Sequence, residues 1–258
     1  MIRKLSTAAL LSATVALSAC AGGKDAPRDT QYVARDVATL YNAAKDRLDR
    51  GQYRVAAALF GEVERQHPFS PWARRAQLMA AFSSYMGRNY TDAIGSASRF
   101  VANNPGNKDA PYAYYLIAVS HYEQIGRVDR DQSSTRSALA ALGTVIDRYP
   151  DTTYATDARV KRDLVLDQLA AKEMSVGRFY QDRGQWLAAT LRFREVVDNY
   201  QQTRQVQEAL YRLTESYLAL GIPDEAQKSA AVLGRNYPGS EWYQRAYSLM
   251  QEKAPAAS

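Results

Sequence analysis

One spacing recurs five times along this chain and limits what it can fold into. Alanines at Ala56, Ala93, Ala138, Ala189 and Ala226 are each followed seven residues later by an apolar side chain: Val63, Phe100, Val145, Val196 and Leu233. Twelve residues after each alanine stand Pro68, Pro105, Pro150, Gln201 and Pro238, and eight beyond these come Ala76, Ala113, Ala158, Ala209 and Ala246. Three residues before the first set stand Tyr53, Tyr90, Thr135, Trp186 and Pro223. A small residue lets two helices approach closely, and an apolar one a turn or two away fills the groove beside it. Proline ends a helix and pushes the preceding residue out of the α region. Tandem helical hairpins follow, the segment 67–100 being the clearest.

The alanines are 37, 45, 51 and 37 residues apart, against a tetratricopeptide (TPR) period of about 34. Ala56, Phe60 and Pro68 match half of that repeat's pattern, and Ala189 with Phe193 matches part of it. The surplus falls at 125–132 and in a long first helix over 153–183. The sequence therefore predicts an all-α fold, an α-solenoid of five TPR-like helical hairpins plus a C-terminal capping helix, with no strand pattern. The competing reading is an irregular bundle with chance alanines. Predicted helices cover 36–50, 52–66, 71–87, 90–103, 110–125, 131–149, 153–183, 185–200, 205–220, 223–237 and 241–253. Gly177 is a candidate break in the long one, and Asp109 a candidate N-cap.

The first 19 residues read as a targeting segment: Arg3 and Lys4 form a basic start, and an uncharged apolar run to Leu17 is too short to span a bilayer. Leu17, Ser18, Ala19 and Cys20 resemble a bacterial lipobox. That resemblance implies cleavage before Cys20, a diacylglycerol thioether on its sulfur, and acylation of the new amine. The alternative is an ordinary secretory signal with an incidental cysteine. Ala21 in place of an aspartate suits outer-membrane sorting, by analogy with such lipoproteins. The predicted organisation is signal peptide 1–19, lipidated cysteine and polar tether 20–33, N-terminal units 34–125, C-terminal units with the cap 126–253, and a tail 254–258.

Net charge is +6, and removing Arg3 and Lys4 leaves 31 basic against 27 acidic residues, or +4. The charges are spread as mixed-sign helix faces, which speaks against nucleic-acid binding. Two histidines, His67 and His121, show no metal-ligand spacing with cysteine or carboxylates. No phosphate loop or nucleophile elbow occurs. The expectation is a protein without catalytic residues, metal or cofactor.

Several segments go beyond a generic repeat. The run 67–79 (HPFSPWARRAQLM), Tyr112 to Leu116 (YAYYL), Arg130 to Gln132, Lys172 to Met174 and Gly177 to Tyr180 resemble the BamD family of outer-membrane lipoproteins, over about 37–250. The resemblance implies a non-catalytic subunit of the β-barrel assembly (BAM) machinery. Its implied partners are the barrel protein BamA through a periplasmic POTRA domain, other BAM lipoproteins, and unfolded outer-membrane protein precursors. It implies a lipid anchor facing the periplasm, with substrates near the N-terminal units and partners near the C-terminal ones. The competing functions are another periplasmic TPR adaptor lipoprotein, in envelope organisation or cell division, and a cell-wall-cleaving enzyme, for which little chain remains outside the repeats.

TPR grooves are lined by set positions of each first helix. Counting from the alanines gives Ala38, Tyr41, Lys45 and Leu48, then Arg75, Leu78, Phe82 and Tyr85, then Tyr112, Tyr115, Val119 and Tyr122. Barrel precursors commonly end in alternating apolar residues with a terminal aromatic and carboxylate. Aromatic walls would hold such a side chain, and Lys45 or Arg75 its carboxylate; the plainer reading is repeat-to-repeat packing. Phe69, Pro71 and Trp72 are read as a staple between the first two units rather than an exposed knob. By family analogy, Arg192, with Arg194 beside it, is the candidate contact for an acidic POTRA surface.

Overall fold

Helices form wherever the alanine spacing asks for them. The computed structural model describes residues 36–253; among these there are eleven helices and no strand. They are α1 (Val37–Asp49), α2 (Tyr53–Gln66), α3 (Pro71–Met86), α4 (Tyr90–Asn103), α5 (Ala110–Tyr122), α6 (Ser133–Arg148), α7 (Thr153–Gln181), α8 (Trp186–Asn199), α9 (Gln205–Ala219), α10 (Pro223–Asn236) and α11 (Glu241–Lys253). The signal segment, Cys20, the tether and the tail lie outside the described residues.

The two alanine sets and the apolar set behave as their spacing requires: all fifteen residues are at most 1% exposed. All but Ala93 and Ala226 join one of five local cores, such as Ala56, Phe60, Val63 and Ala76 in the first. Stability in such an array is a sum of neighbour terms rather than one central core.

Turns within hairpins repeat as faithfully. After α1, α3, α7 and α9 one residue is left-handed: Gly51, Arg88, Gly184 and Gly221, with φ of 71°, 57°, 69° and 73°. Its N–H bonds the carbonyl three residues back, and the next N–H bonds the one five back, as in Gln52 N to Arg47 O at 2.8 Å. This is the Schellman stop, in which glycine avoids the Cβ clash that Arg88 must bear. Between hairpins, His67, Asn104, Tyr149, Tyr200 and Tyr237 share φ from −138° to −129° and ψ from 38° to 56°. Tyr200 does so with Gln201 after it, so the tertiary turn sets this geometry and proline only favours it.

Successive helices pack on each other, and so do α1 with α3, α3 with α5, α5 with α7, α7 with α9 and α9 with α11. No two even-numbered helices touch. A layer closed on one side and open on the other curves toward the closed side, so the odd helices form the inner row.

The surplus residues have two explanations. In unit four the two alanines are 31 residues apart against 17 in unit two; the extra fourteen make nearly four turns at about 3.6 residues each. The same face of α7 therefore returns. Its first part packs with α6 through Ala158, Val165 and Leu169, and its second with α8 and α9 through Ala170 and Met174. In unit three the surplus forms the loop after α5. Buried Gln132 gathers it, donating from Nε2 to the carbonyls of Arg127, Val128 and Arg130 at 3.3, 3.3 and 2.9 Å. Gln168 and Lys172 of α7 hold the Gly126 and Asp129 carbonyls.

Three local expectations need correcting. α7 is unbroken through Gly177; a Cβ there would lie 2.4 Å from the Phe193 ring, so the glycine permits close packing rather than a kink. Asp109 stands at the N-cap of α5 but makes no side-chain cap. Pro111, in the first turn, has no N–H to offer, and the Asp109 N–H itself donates to Asn107 Oδ1 at 2.8 Å. The staple reading holds only in part for Trp72, 37% exposed with its ring 4.9 Å from that of Tyr41, and not for exposed Pro71. It fails for Phe69, which is 100% exposed at the apex of the α2–α3 turn.

Candidate functional site

The expected groove positions fall on the odd helices, one stripe on each. They gather at two stations. At the first, Tyr41 is buried between Phe60 and Trp72, with ring centroids 5.3 and 4.9 Å away. The Arg75 guanidinium lies 5.9 Å from the Tyr41 ring centroid. Burial pushes the Tyr41 phenol up, against the pull of Arg75 and Lys45. Tyr41 thus serves as wall more than as contact. Lys45 is exposed and its Nζ donates to Asp49 at 2.8 Å, a bond that raises its own pKa. Arg75 makes no salt bridge among the described residues and, with Arg74 and Lys108, lines an open cavity of about 920 Å³ floored by Leu78 and Met79. Of the two expected carboxylate holders, Arg75 is the one available.

Seven residues beyond Arg75 along α3, roughly 10 Å at 1.5 Å per residue, begins the second station. Phe82, Tyr85 and Tyr112 pack over the core of Leu78, Ala81, Phe100 and Leu116. Tyr112 and Tyr115 stand 5.5 and 5.2 Å from the Tyr154 ring of α7. Tyr115 Oη donates to Asp157 Oδ2 at 2.6 Å, and Lys161 Nζ donates to both Asp157 oxygens at 2.8 and 2.7 Å. Lys161 Nζ also sits 5.7 Å from the Tyr122 ring centroid. Burial first, then the neighbouring Tyr154 and Tyr85, pushes Tyr112 up to about 12. Burial and the bond to Asp157 raise Tyr115 further, and burial with Glu123 raises Tyr85. Burial draws Asp157 up, but the bonds from Lys161 and Tyr115 outweigh it and hold the carboxyl below its usual range. The phenols stay neutral at any physiological pH, leaving a row of aromatic faces with hydroxyl donors along it.

Sequence reasoning missed Tyr154, Asp157 and Lys161. Carrying the register of Ala76 and Ala113 to Ala158 places Asp157 at the position of Arg75 and Tyr112. The signal was present, but the length of α7 obscured it. Exposed Val160 and Leu164 occupy the next two positions of that register.

The other pair lies apart. Arg192, on α8, bonds Glu173 of α7 through Nη1 at 3.1 Å, and Arg194 reaches Asp198 only at 4.0 Å. Both arginines are exposed. Glu173, with Lys172, also lines a polar recess of about 370 Å³ under the loop that Gln132 gathers. Among the described residues no cluster of three or more potential metal ligands occurs, and no helix is long and apolar enough to cross a membrane.

Fold and surface together define a class: a helical-repeat scaffold of the TPR type, with an aromatic inner row over its first units. Comparison with known proteins narrows this. A family model described as an outer membrane lipoprotein (YfiO) matches residues 33–233. The outer membrane protein assembly factor BamD of Caulobacter vibrioides is 51% identical over 245 residues, 95% of this chain and 79% of that protein. The protein of the same name from Rickettsia prowazekii is 44% identical over 242 residues, 94% of this chain and 96% of that one. The chain belongs to this family, the BamD (YfiO) outer membrane lipoproteins. Solved structures of like fold are distant; a TPR protein of Thermus thermophilus is 18% identical with a TM-score of 0.38, over 84% of this chain and all of that one.

Proposed function

We propose that this chain is an outer membrane protein assembly factor, a non-catalytic scaffold of the barrel-assembly machinery anchored to the outer membrane through acylated Cys20 and facing the periplasm. Its N-terminal units hold unfolded outer-membrane precursors by their C-terminal segment, and its C-terminal units meet a BamA-type barrel protein through a POTRA domain, together with other assembly lipoproteins. One observation carries the substrate half: an unpaired Arg75 stands at a 920 Å³ cavity and leads along α3 to the tyrosines of the second station. A terminal carboxylate at Arg75 and alternating apolar side chains along the row use both features.

The test is peptide binding. A ten-residue peptide ending in a carboxylated phenylalanine should bind about tenfold or more tighter than its C-terminal amide, the worth of one charge-assisted hydrogen bond. Arg75→Glu should abolish that preference while leaving residual apolar binding; a preference surviving in the variant removes Arg75 from the site. For the partner half, Arg192→Glu frees Glu173 and places two acids side by side. It should weaken capture of a BamA-type protein, and undiminished capture excludes Arg192 from the contact.

A further inference from the structure

Phe69 is 100% exposed, more than any other large apolar side chain among the described residues. Its position is fixed. The Ser70 N–H donates to the His67 carbonyl at 3.0 Å, and Ser70 Oγ accepts from the Trp72 N–H at 3.1 Å, so the turn holds Phe69 at its apex. Pro68 and Pro71, on either side, are exposed too. The four equivalent positions in later inter-hairpin loops are Gly106, Asp151, Gln202 and Gly239, all small or polar. The apolar tip is therefore peculiar to the first loop, and the array's packing does not need it.

Its surroundings are basic. Arg74, Arg75 and Lys108 lie along the same edge around the 920 Å³ cavity, with Asp109 the one acid lining it. None of the three cations makes a salt bridge among the described residues. Arg65, near the end of α2, is tied to Glu62. Hairpin topology fixes which edge this is: the α2–α3 turn lies at the end of the first hairpin where α1 begins. Only residues 21–36 separate α1 from Cys20, and sixteen residues span at most about 55 Å even when fully extended.

We infer that the turn at 67–70, with Arg74 and Lys108 behind it, is a second membrane contact, Phe69 entering the interfacial zone of an anionic bilayer while the cations meet lipid phosphates. The inference rests on the proposed anchor at Cys20. An aromatic ring on a fixed turn suits the interface, and basic residues near an anionic surface add attraction that salt screens. The contact would set the tilt of the first hairpin, and so the height of the Arg75 cavity above the membrane.

The natural chain has one cysteine, so acylation leaves an introduced thiol as the only free one. The full chain carrying Phe69→Cys is labelled with an environment-sensitive fluorophore and reconstituted into phosphatidylethanolamine vesicles with phosphatidylglycerol, some of the lipid bearing a quencher in its acyl chain. Gln202→Cys, in the equivalent loop of a later unit, is the reference. Label at 69 should be blue-shifted and quenched at least about twofold more than label at 202. Adding Arg74→Glu with Lys108→Glu, or omitting phosphatidylglycerol, should reduce the difference. Label at 69 that stays in water on an acylated chain overturns the tip alone. Shielding that appears only with a BamA-type protein assigns Phe69 to a protein and overturns it equally. A purified mass lacking the acyl groups at Cys20 overturns the anchor, and the tip with it.

Discussion

Gly177→Ala is expected to destabilise the protein, although alanine in mid-helix ordinarily does the reverse. Gly177 lies in the unbroken 29-residue α7, where helix propensity alone favours alanine by about 1 kcal/mol. Against this, the new Cβ would stand 2.4, 2.8 and 2.9 Å from three atoms of the Phe193 ring. Ordinary contact needs about 3.4–4 Å, so the ring must retreat by roughly 1 Å. It has nowhere to go: Phe193 is fully buried among Ala170, Met174 and Ala189. Overpacking of this kind costs about 1–3 kcal/mol, here toward the upper end. The net loss should be about 2 kcal/mol, or a fall in Tm of roughly 4–8 °C for a chain of this size. Urea unfolding followed by helical circular dichroism measures it through the midpoint. Phe193→Leu removes the ring face, so in that background the same substitution should cost little or turn stabilising, a coupling near 2 kcal/mol. A rise in Tm for the single variant would refute the reasoning, since propensity would then be the only term at work.

Three further outcomes follow from the structure. Arg88→Gly should stabilise by about 0.5–1 kcal/mol, because φ of 57° strains any residue with a Cβ and the three equivalent turns use glycine; an unchanged urea midpoint would contradict this. Gln132→Ala removes four hydrogen bonds of a buried amide and should cost about 2–3 kcal/mol, with new protease cleavage within 126–131; an uncut loop would mean that Gln168 and Lys172 suffice. The Asp157 carboxyl is held low in the fold, so its contribution is present above the unfolded pKa, about 3.9, and is lost as pH falls through the folded value. Asp157→Asn should therefore lie below the natural protein in urea midpoint at pH 7, the gap narrowing only as pH falls below about 3.9 toward the folded value. The gap should be modest, since the side chain is 42% exposed.

What the sequence disclosed was whatever repeats. Fifteen residues placed by spacing alone are all buried, and helix limits fall within a few residues of expectation because proline, glycine and alanine act locally. What it concealed depended on particular side-chain partners that the repeat spacing does not specify. Gly177 looks like a helix breaker until Phe193, sixteen residues on, is seen lying across it. Lys45 looks like a carboxylate holder until Asp49 takes it one turn later. Asp157 was hidden because a helix four turns too long disguised the register that places it beside Tyr115. Phe69 was misjudged for a simpler reason: two apolar residues three apart can share one staple, and only Trp72 reaches a ring, that of Tyr41, while staying 37% exposed.

The proposed division of labour between the two halves rests on how the inner row spends its charges. Between α7 and α9, Arg178 bonds both carboxylate oxygens of Glu208 at 3.1 Å. Arg212 bonds Glu208 and Glu215 at 3.3 Å each, and Gln181 donates to Glu215 at 2.6 Å. Each of these charged groups already has a partner, and Glu208 is only 18% exposed. A peptide carboxylate arriving there would have to replace a bond before making one, and breaking a partly buried pair leaves its partner unsatisfied, a cost that solvent reduces but does not remove. At Arg75 nothing has to be broken: a carboxylate gains a charge-assisted hydrogen bond, worth about 1.5–3 kcal/mol, without displacing another. By this reasoning the inner row binds in the first units and serves as internal bracing in the last ones. The C-terminal half is left to meet its partners with exposed groups outside that network, such as Arg192 and Arg194.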